Sequence, residues 1–159
     1  MLELFTDGGC IGPNPSKKGG TWAWCLIDSG AIVRSACGVV VPADVDLPAV
    51  TNNITELLAA VLGLEAVGPD FDGIWHTDSK VTVYRLTTST AFKGCPDWLR
   101  KRVLEVRRGR KYKVALLGGH PNKKELASGV RKDGAAVNRW NVWCDKQCCR
   151  LAKEWADEL

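Results

Sequence analysis

The sequence predicts an α/β fold: one mixed five-stranded sheet, three antiparallel strands followed by two parallel ones, flanked by helices. Three observations lead there. Up to residue 41 the apolar residues come in short runs rich in strand formers, separated by turn residues. From Ile54 the apolar period lengthens to that of a helix. Beyond that, two short strand-like runs, residues 73–77 and 111–117, are each reached through a helical stretch, so each should lie parallel to a neighbour. The 159 residues suit a single domain, 1–159, with a core of its own.

Each element follows from local chemistry. Residues 2–10 read as a strand, and 12–20, with Gly12, Pro13, Asn14 and Pro15, as a loop. Residues 21–27 and 31–41 are strands joined by Asp28-Ser29-Gly30, a tight hairpin turn. Residues 42–50 form a second loop. Ile54, Leu57, Leu58, Val61 and Leu62 then mark one face of a helix that Gly68-Pro69 stops, with Glu56 in its first turn. After the strand at 73–77, Ser79 is the N-cap of a short helix over 80–86. Residues 96–107 are helical, with Trp98, Leu99, Val103 and Val106 apolar. Residues 118–137 are long, basic and glycine-bearing, and read as a mobile loop of the length that function usually explains. The last helix spans 138–156, with Asp145 at the edge of its apolar stripe.

Composition narrows the function. No run of about 18 apolar residues appears, so no membrane span is expected, and no basic-then-apolar leader opens the chain; a cytoplasmic, soluble protein follows. Seven cysteines without a CxxC pair argue against a disulfide framework or a zinc knuckle; Cys144, Cys148 and Cys149 read as small buried hydrophobes on one helix face. Between residues 93 and 113 nine basic residues stand against two acids, a local charge of +7 that leaves −3 for the rest of a +4 chain. A basic block of this kind suits either a solvated helix face or a polyanion partner.

Four acids stand out by position: Asp7 near the end of the first strand, Glu56 on the first helix, Asp78 just past the fourth strand, Asp145 on the last helix. Each has an ordinary structural explanation. Asp7-Gly8 makes a turn, Glu56 closes a capping box with Asn53, Asp78-Ser79 enters a helix, and Asp145 pairs with a lysine. As an ordered set, TDGG, TNNITELLAA, HTDS and NVWCDKQ resemble type 1 ribonuclease H over roughly residues 2–156.

That resemblance implies a ribonuclease H-like fold and a metal-binding acidic quartet at Asp7, Glu56, Asp78 and Asp145. Four carboxylates brought together would repel and hold protons; divalent cations reverse that cost, and oxygen-only ligands favour Mg²⁺, with Mn²⁺ as a substitute. Two such ions about 4 Å apart can clamp a phosphodiester. The implied activity is endonucleolytic hydrolysis of the RNA strand of an RNA·DNA hybrid by a monomer, leaving 5′-phosphate and 3′-hydroxyl ends. His120, in LLGGHPNKK, matches the family's loop histidine, which aids product release or proton transfer; His76 reads as a packing residue. The stretch between His120 and Asp145 is longer than the family's usual spacing and carries Lys123, Lys124, Arg131 and Lys132.

Recognition of RNA needs groups that reach the 2′-hydroxyl in a shallow minor groove. The resemblance assigns this to Thr51, Asn52 and Asn53, with Thr51 also holding a DNA phosphate, and to Cys10 and Asn14 in the first loop; helix capping by Asn53 is the alternative use of the segment. The loop reads GPNPSKKGG rather than the usual GNPG pattern, and Lys80 stands where the family often has glutamine, a change suited to a phosphate contact. Arg100 and Lys101, in the basic block, would grip the DNA strand. Gly8-Gly9 would let a sugar-phosphate backbone come close to Asp7. Two other readings keep parts of this picture: a same-fold nuclease for structured DNA, or a catalytically silent hybrid-binding module.

Overall fold

The structure, a computed structural model, describes residues 1–158. Strands β1 (Leu2–Cys10), β2 (Gly20–Asp28), β3 (Ala31–Val40), β4 (Ile74–Thr77) and β5 (Lys113–Leu116) form one sheet in the order β3-β2-β1-β4-β5. β1 pairs antiparallel with β2 and β2 with β3, whereas β1–β4 and β4–β5 are parallel. The mixed sheet expected from the sequence is therefore the one observed, with β1 at its centre. Ser29 and Gly30, both at positive φ, join β2 and β3 by a two-residue turn.

Helices α1 (Pro42–Val45), α2 (Asn52–Val67), α3 (Lys80–Thr87), α4 (Asp97–Arg107), α5 (Lys123–Ser128) and α6 (Arg139–Glu158) complete the chain. The central strand is buried on both faces, and alternation along the strands divides the core in two. Leu4, Trp24 and Leu26 meet Ile54, Leu57 and Val61 of α2, together with Leu86, Leu99 and Val103. Phe5, Cys25 and Ile27, one residue on, meet Cys144 and Cys148 of α6. Trp98 is partly buried against the first core, with the Arg102 guanidinium 5.8 Å from its ring centre. Among the described residues no helix is long and apolar enough to cross a membrane.

Several local expectations are corrected. The loop at 42–50 contains α1, and that at 118–137 contains α5. Asn122 accepts from Glu125 N while Glu125 returns a bond to Asn122 N, a capping box that starts this helix inside an otherwise polar segment. The N-cap of α2 is Thr51, whose hydroxyl accepts from Ile54 N, so Asn53 lies inside the helix and Glu56 in its second turn, where no capping box with Asn53 forms. Cys149 is exposed, unlike Cys144 and Cys148, because it lies one residue round the helix from the buried pair.

Gly8 also has a packing reason beside the one expected. A Cβ there would lie 2.5 Å from Thr55 C and 2.6 Å from Glu56 N, so the bare backbone lets α2 lie directly on β1. The close packing that carries Glu56 toward Asp7 depends on it. Much of the basic block is likewise structural. Arg102 pairs with Glu65 through two nitrogens, Arg107 Nη1 donates to Arg85 O and Ser89 O at 2.9 and 2.7 Å, Arg110 Nη1 donates to Tyr112 O, and Lys111 pairs with Asp70.

Candidate active site

Asp7 points from the middle of the central strand and is 1% exposed. β4, parallel to β1, ends at Thr77 and delivers Asp78 beside it; α2, seated on Gly8, brings Glu56; α6, packed on the other face, brings Asp145. Ligand oxygens of Asp7, Glu56 and Asp78 lie within 4.8 Å of one another, and the same holds for ligand atoms of Asp7, His120 and Asp145. Four acids far apart in the chain are thus gathered at one end of the sheet.

Their electrostatics are unfavourable by themselves. Neither Asp7 oxygen has a hydrogen-bond partner, nor does Asp78 Oδ2. Burial raises the Asp7 carboxyl well above the usual range, and the negative charges of Asp78, Asp145 and Glu56 raise it further. Glu56 is pushed up to about 7, first by burial and then by Asp78, with the Ser79 hydroxyl and His120 opposing. Asp78 is raised by burial, an effect that His120 partly offsets. Unpaired buried carboxylates are costly unless a cation completes them. The oxygen-rich donor set and the orphaned Asp7 oxygens fit a hard divalent cation.

The loop after β5 brings His120 over this cluster. Its Nε2 lies 3.5 Å from Asp78 Oδ2 and its Nδ1 3.6 Å from Asp145 Oδ1, with the ring half exposed at the mouth. A groove of about 340 Å³ opens here, lined among others by Gly9, Cys10, Asn52, Glu56, His120 and Asp145. His76 faces elsewhere: it stacks on Phe5 with ring centres 4.2 Å apart and bonds Glu3 Oε1 at 2.9 Å, as a packing residue does.

The residues assigned to RNA recognition come together beside the acids. Asn14 Oδ1 accepts from Asn52 N at 3.2 Å and from Cys10 Sγ at 3.7 Å, so the altered first loop docks on the start of α2. Ser16 holds that loop, donating to Ile11 O and accepting from Lys18 N and Gly19 N. A second groove is lined by Asn14, Thr51, Asn53, Arg85 and Lys93. Nothing in the sequence singles out Arg85, which sits on α3 among apolar neighbours. It is 7% exposed, donates through Nη2 to Lys93 O and leaves Nη1 unpartnered. Lys80 is exposed at the first position of α3. Arg100 and Lys101 line neither groove; they sit on α4, 4.0 and 3.2 Å from the Asp97 carboxylate.

No protein-family model matches the chain. A ribonuclease H of Xanthomonas oryzae pv. oryzae (strain MAFF 311018) is 33% identical over 100 residues, covering 63% of this chain and 56% of that protein, so the chain spans little more than half the length of such relatives. A ribonuclease H of Campylobacter concisus (strain 13826) is 28% identical over 158 residues, covering 99% of this chain and 96% of that protein. Among solved structures, LC11-RNase H1 in complex with an RNA/DNA hybrid superposes with a TM-score of 0.62 at 16% identity, over 97% of this chain and 98% of that one.

Proposed function

We propose that this chain, which is similar to ribonucleases H and shares the fold of the RNase H1 structure on which it superposes, is a divalent-metal-dependent endonuclease that hydrolyses the RNA strand of RNA·DNA hybrids. The observation that carries this reading is Asp7, a buried carboxylate with neither oxygen partnered, surrounded by three further acids. The hybrid bound in the LC11-RNase H1 structure supports the substrate class.

Asp7, Glu56, Asp78 and Asp145 would hold the cations. Two divalent cations, Mg²⁺ or Mn²⁺ in its place, would supply Lewis acidity for activating a water and offsetting charge on the leaving oxygen. Asp7 belongs to both groups of ligand atoms, so it is the residue on which cation binding would most depend. Glu56 and Asp78 complete one group, and Asp145 with His120 flanks the other. His120, held between two carboxylates at the exposed mouth, can move a proton at the departing 3′ oxygen. The products would carry 5′-phosphate and 3′-hydroxyl ends.

Selectivity would come from short neutral groups. Asn14, Thr51, Asn52 and Asn53, with Cys10 behind them, present hydrogen-bonding edges suited to the 2′-hydroxyls of a shallow minor groove. Lys80, Arg100 and Lys101 are left to phosphates, which supply affinity without sequence reading. Residues 1–159 would act as one catalytic domain, as a monomer.

The test is the purified chain with an end-labelled hybrid, with and without Mg²⁺, beside an Asp78→Asn variant. Cutting of the RNA strand that requires metal and falls at least about a hundredfold in the variant is expected. Metal-independent cutting or a fully active variant would overturn the reading. Preference for DNA junctions would favour the structured-DNA nuclease, and tight hybrid binding without product the silent module.

A further inference from the structure

The segment between His120 and α6 is folded on itself. Glu125 uses both oxygens on backbone: Oε1 accepts from Asn122 N at 3.0 Å and Oε2 from Lys132 N at 2.9 Å. Arg131 N donates to Ala135 O, Gly134 N to Arg131 O and Val137 N to Gly129 O, which closes a tight turn after α5. At its far end, Asn138 Oδ1 accepts from Trp140 N and Asn141 N and starts the helix that carries Asp145. The module is therefore anchored at the root of α6.

It reaches back by one side chain. Arg131 Nη2 donates to Gly119 O at 2.8 Å, one residue before His120. The guanidinium also lies close against the preceding residue: a Cβ on Gly118 would meet Nη2 at 2.7 Å and Cζ at 3.0 Å. Gly118, Gly119 and His120 are all exposed, so little else in the loop restrains the imidazole. A glycine pair without such a restraint samples many conformations.

We infer that Arg131 is a positioning residue: by clamping the Gly118–Gly119 backbone it sets His120 between Asp78 and Asp145. This rests on the reading of His120 as a group that acts in hybrid cleavage. The basic residues of the segment then divide by role. Arg131 faces inward and holds the loop, whereas Lys123, Lys124 and Lys132 are exposed.

The experiment compares the full chain with Arg131→Ala, Arg131→Lys, His120→Ala and the double variant His120→Ala/Arg131→Ala on a labelled hybrid with Mg²⁺. A positioned acid–base group contributes about 10²- to 10⁴-fold, so loosening it without removing it is expected to lower kcat about tenfold. KM should stay within about twofold. Arg131→Lys should recover part of the loss, and Arg131→Ala should cost nothing further once His120 is gone. A readout without turnover is the rate at which diethyl pyrocarbonate modifies His120 in the metal-free protein, followed by peptide mass spectrometry; it should rise in Arg131→Ala. Were Arg131→Ala not to fold, Gly118→Ala, which pushes the guanidinium away from the other side, should raise the same rate. An unchanged kcat and modification rate, a rise in KM alone, or a loss that adds to that of His120→Ala would overturn the inference. A wild-type chain that cuts no hybrid would defeat the functional reading, while the modification rates would still decide the clamp.

Discussion

His120 Nε2 stands 3.5 Å from Asp78 Oδ2, while the other nitrogen of the same ring lies 3.6 Å from Asp145 Oδ1. The imidazole thus links an acid delivered by the end of β4 to one delivered by α6. His120→Ala is expected to lower kcat by about 10²-fold at neutral pH with little change in KM, because the group acts on the reacting bond and not on the duplex. Steady-state kinetics on a hybrid of defined length checks this.

The buried acids predict how stability depends on pH without metal. Their folded-state pKa values are raised, so the native state binds more protons than the unfolded one once pH exceeds the unfolded values. Stability therefore falls as pH rises. For Glu56 the window runs from its ordinary 4.5 to about 7. Metal-free protein should lose on the order of 3 kcal/mol across that range from this group. Mg²⁺ should restore stability at pH 8 and do little at pH 5, where protons occupy the site. Chemical denaturation at both pH values, with and without Mg²⁺, measures both effects.

Removing the central charge should separate stability from activity. Asp7→Asn keeps the shape and deletes an unpaired buried charge. The variant should be more stable than the parent in metal-free buffer at pH 8 by about 1–3 kcal/mol, and inactive. Stabilisation by Mg²⁺ should largely disappear, which thermal melts in a Mg²⁺ series would register.

Gly8 supports the site from beneath. A methyl group there would meet the backbone of Thr55 and Glu56, neither of which can swing aside. Gly8→Ala should cost about 1–3 kcal/mol and weaken Mg²⁺ binding, since α2 must move and take Glu56 with it. Urea denaturation and a Mg²⁺ titration report the two effects.

The basic block should divide under salt. Arg102 is paired with Glu65, whereas Lys93 lines the groove with Asn14, Thr51 and Asn53. Lys93→Ala should reduce the slope of log affinity against log salt by about 0.7–0.9, the value of one phosphate contact. Arg102→Ala should leave the slope unchanged and cost about 1 kcal/mol of stability or less. Hybrid-binding titrations at several salt concentrations distinguish the two.

The elements and the four acids were legible because their signals are local. Short apolar runs rich in strand formers marked β1 to β3, the spacing of Ile54, Leu57, Leu58 and Val61 marked α2, and each acid lay in a short motif at a predictable point of an element. Other features were not legible because they depend on partners distant in sequence. The capping role passed from Asn53 to Thr51 through a single hydroxyl bond. α5 has no buried residues, so no apolar period announced it; its capping box was the available cue. Arg85 and Arg131 were indistinguishable by sequence from solvated arginines.

By itself the sequence determined the order and kind of the elements other than the short helices α1 and α5, the mixed sheet and the identities of the acids, since hydrophobic period, turn residues and short motifs are properties of neighbouring residues. The tertiary structure alone decided what those residues face. Docking α2 on Gly8 and α6 on the opposite side of β1 buried Asp7 without a partner and raised the acids around it. Packing of α4 against α2 and α3 likewise turned Arg102 and Arg107 into ties within the chain. Burial, charge repulsion and the choice of hydrogen-bond partner depend on distances in space, which no spacing along the chain encodes.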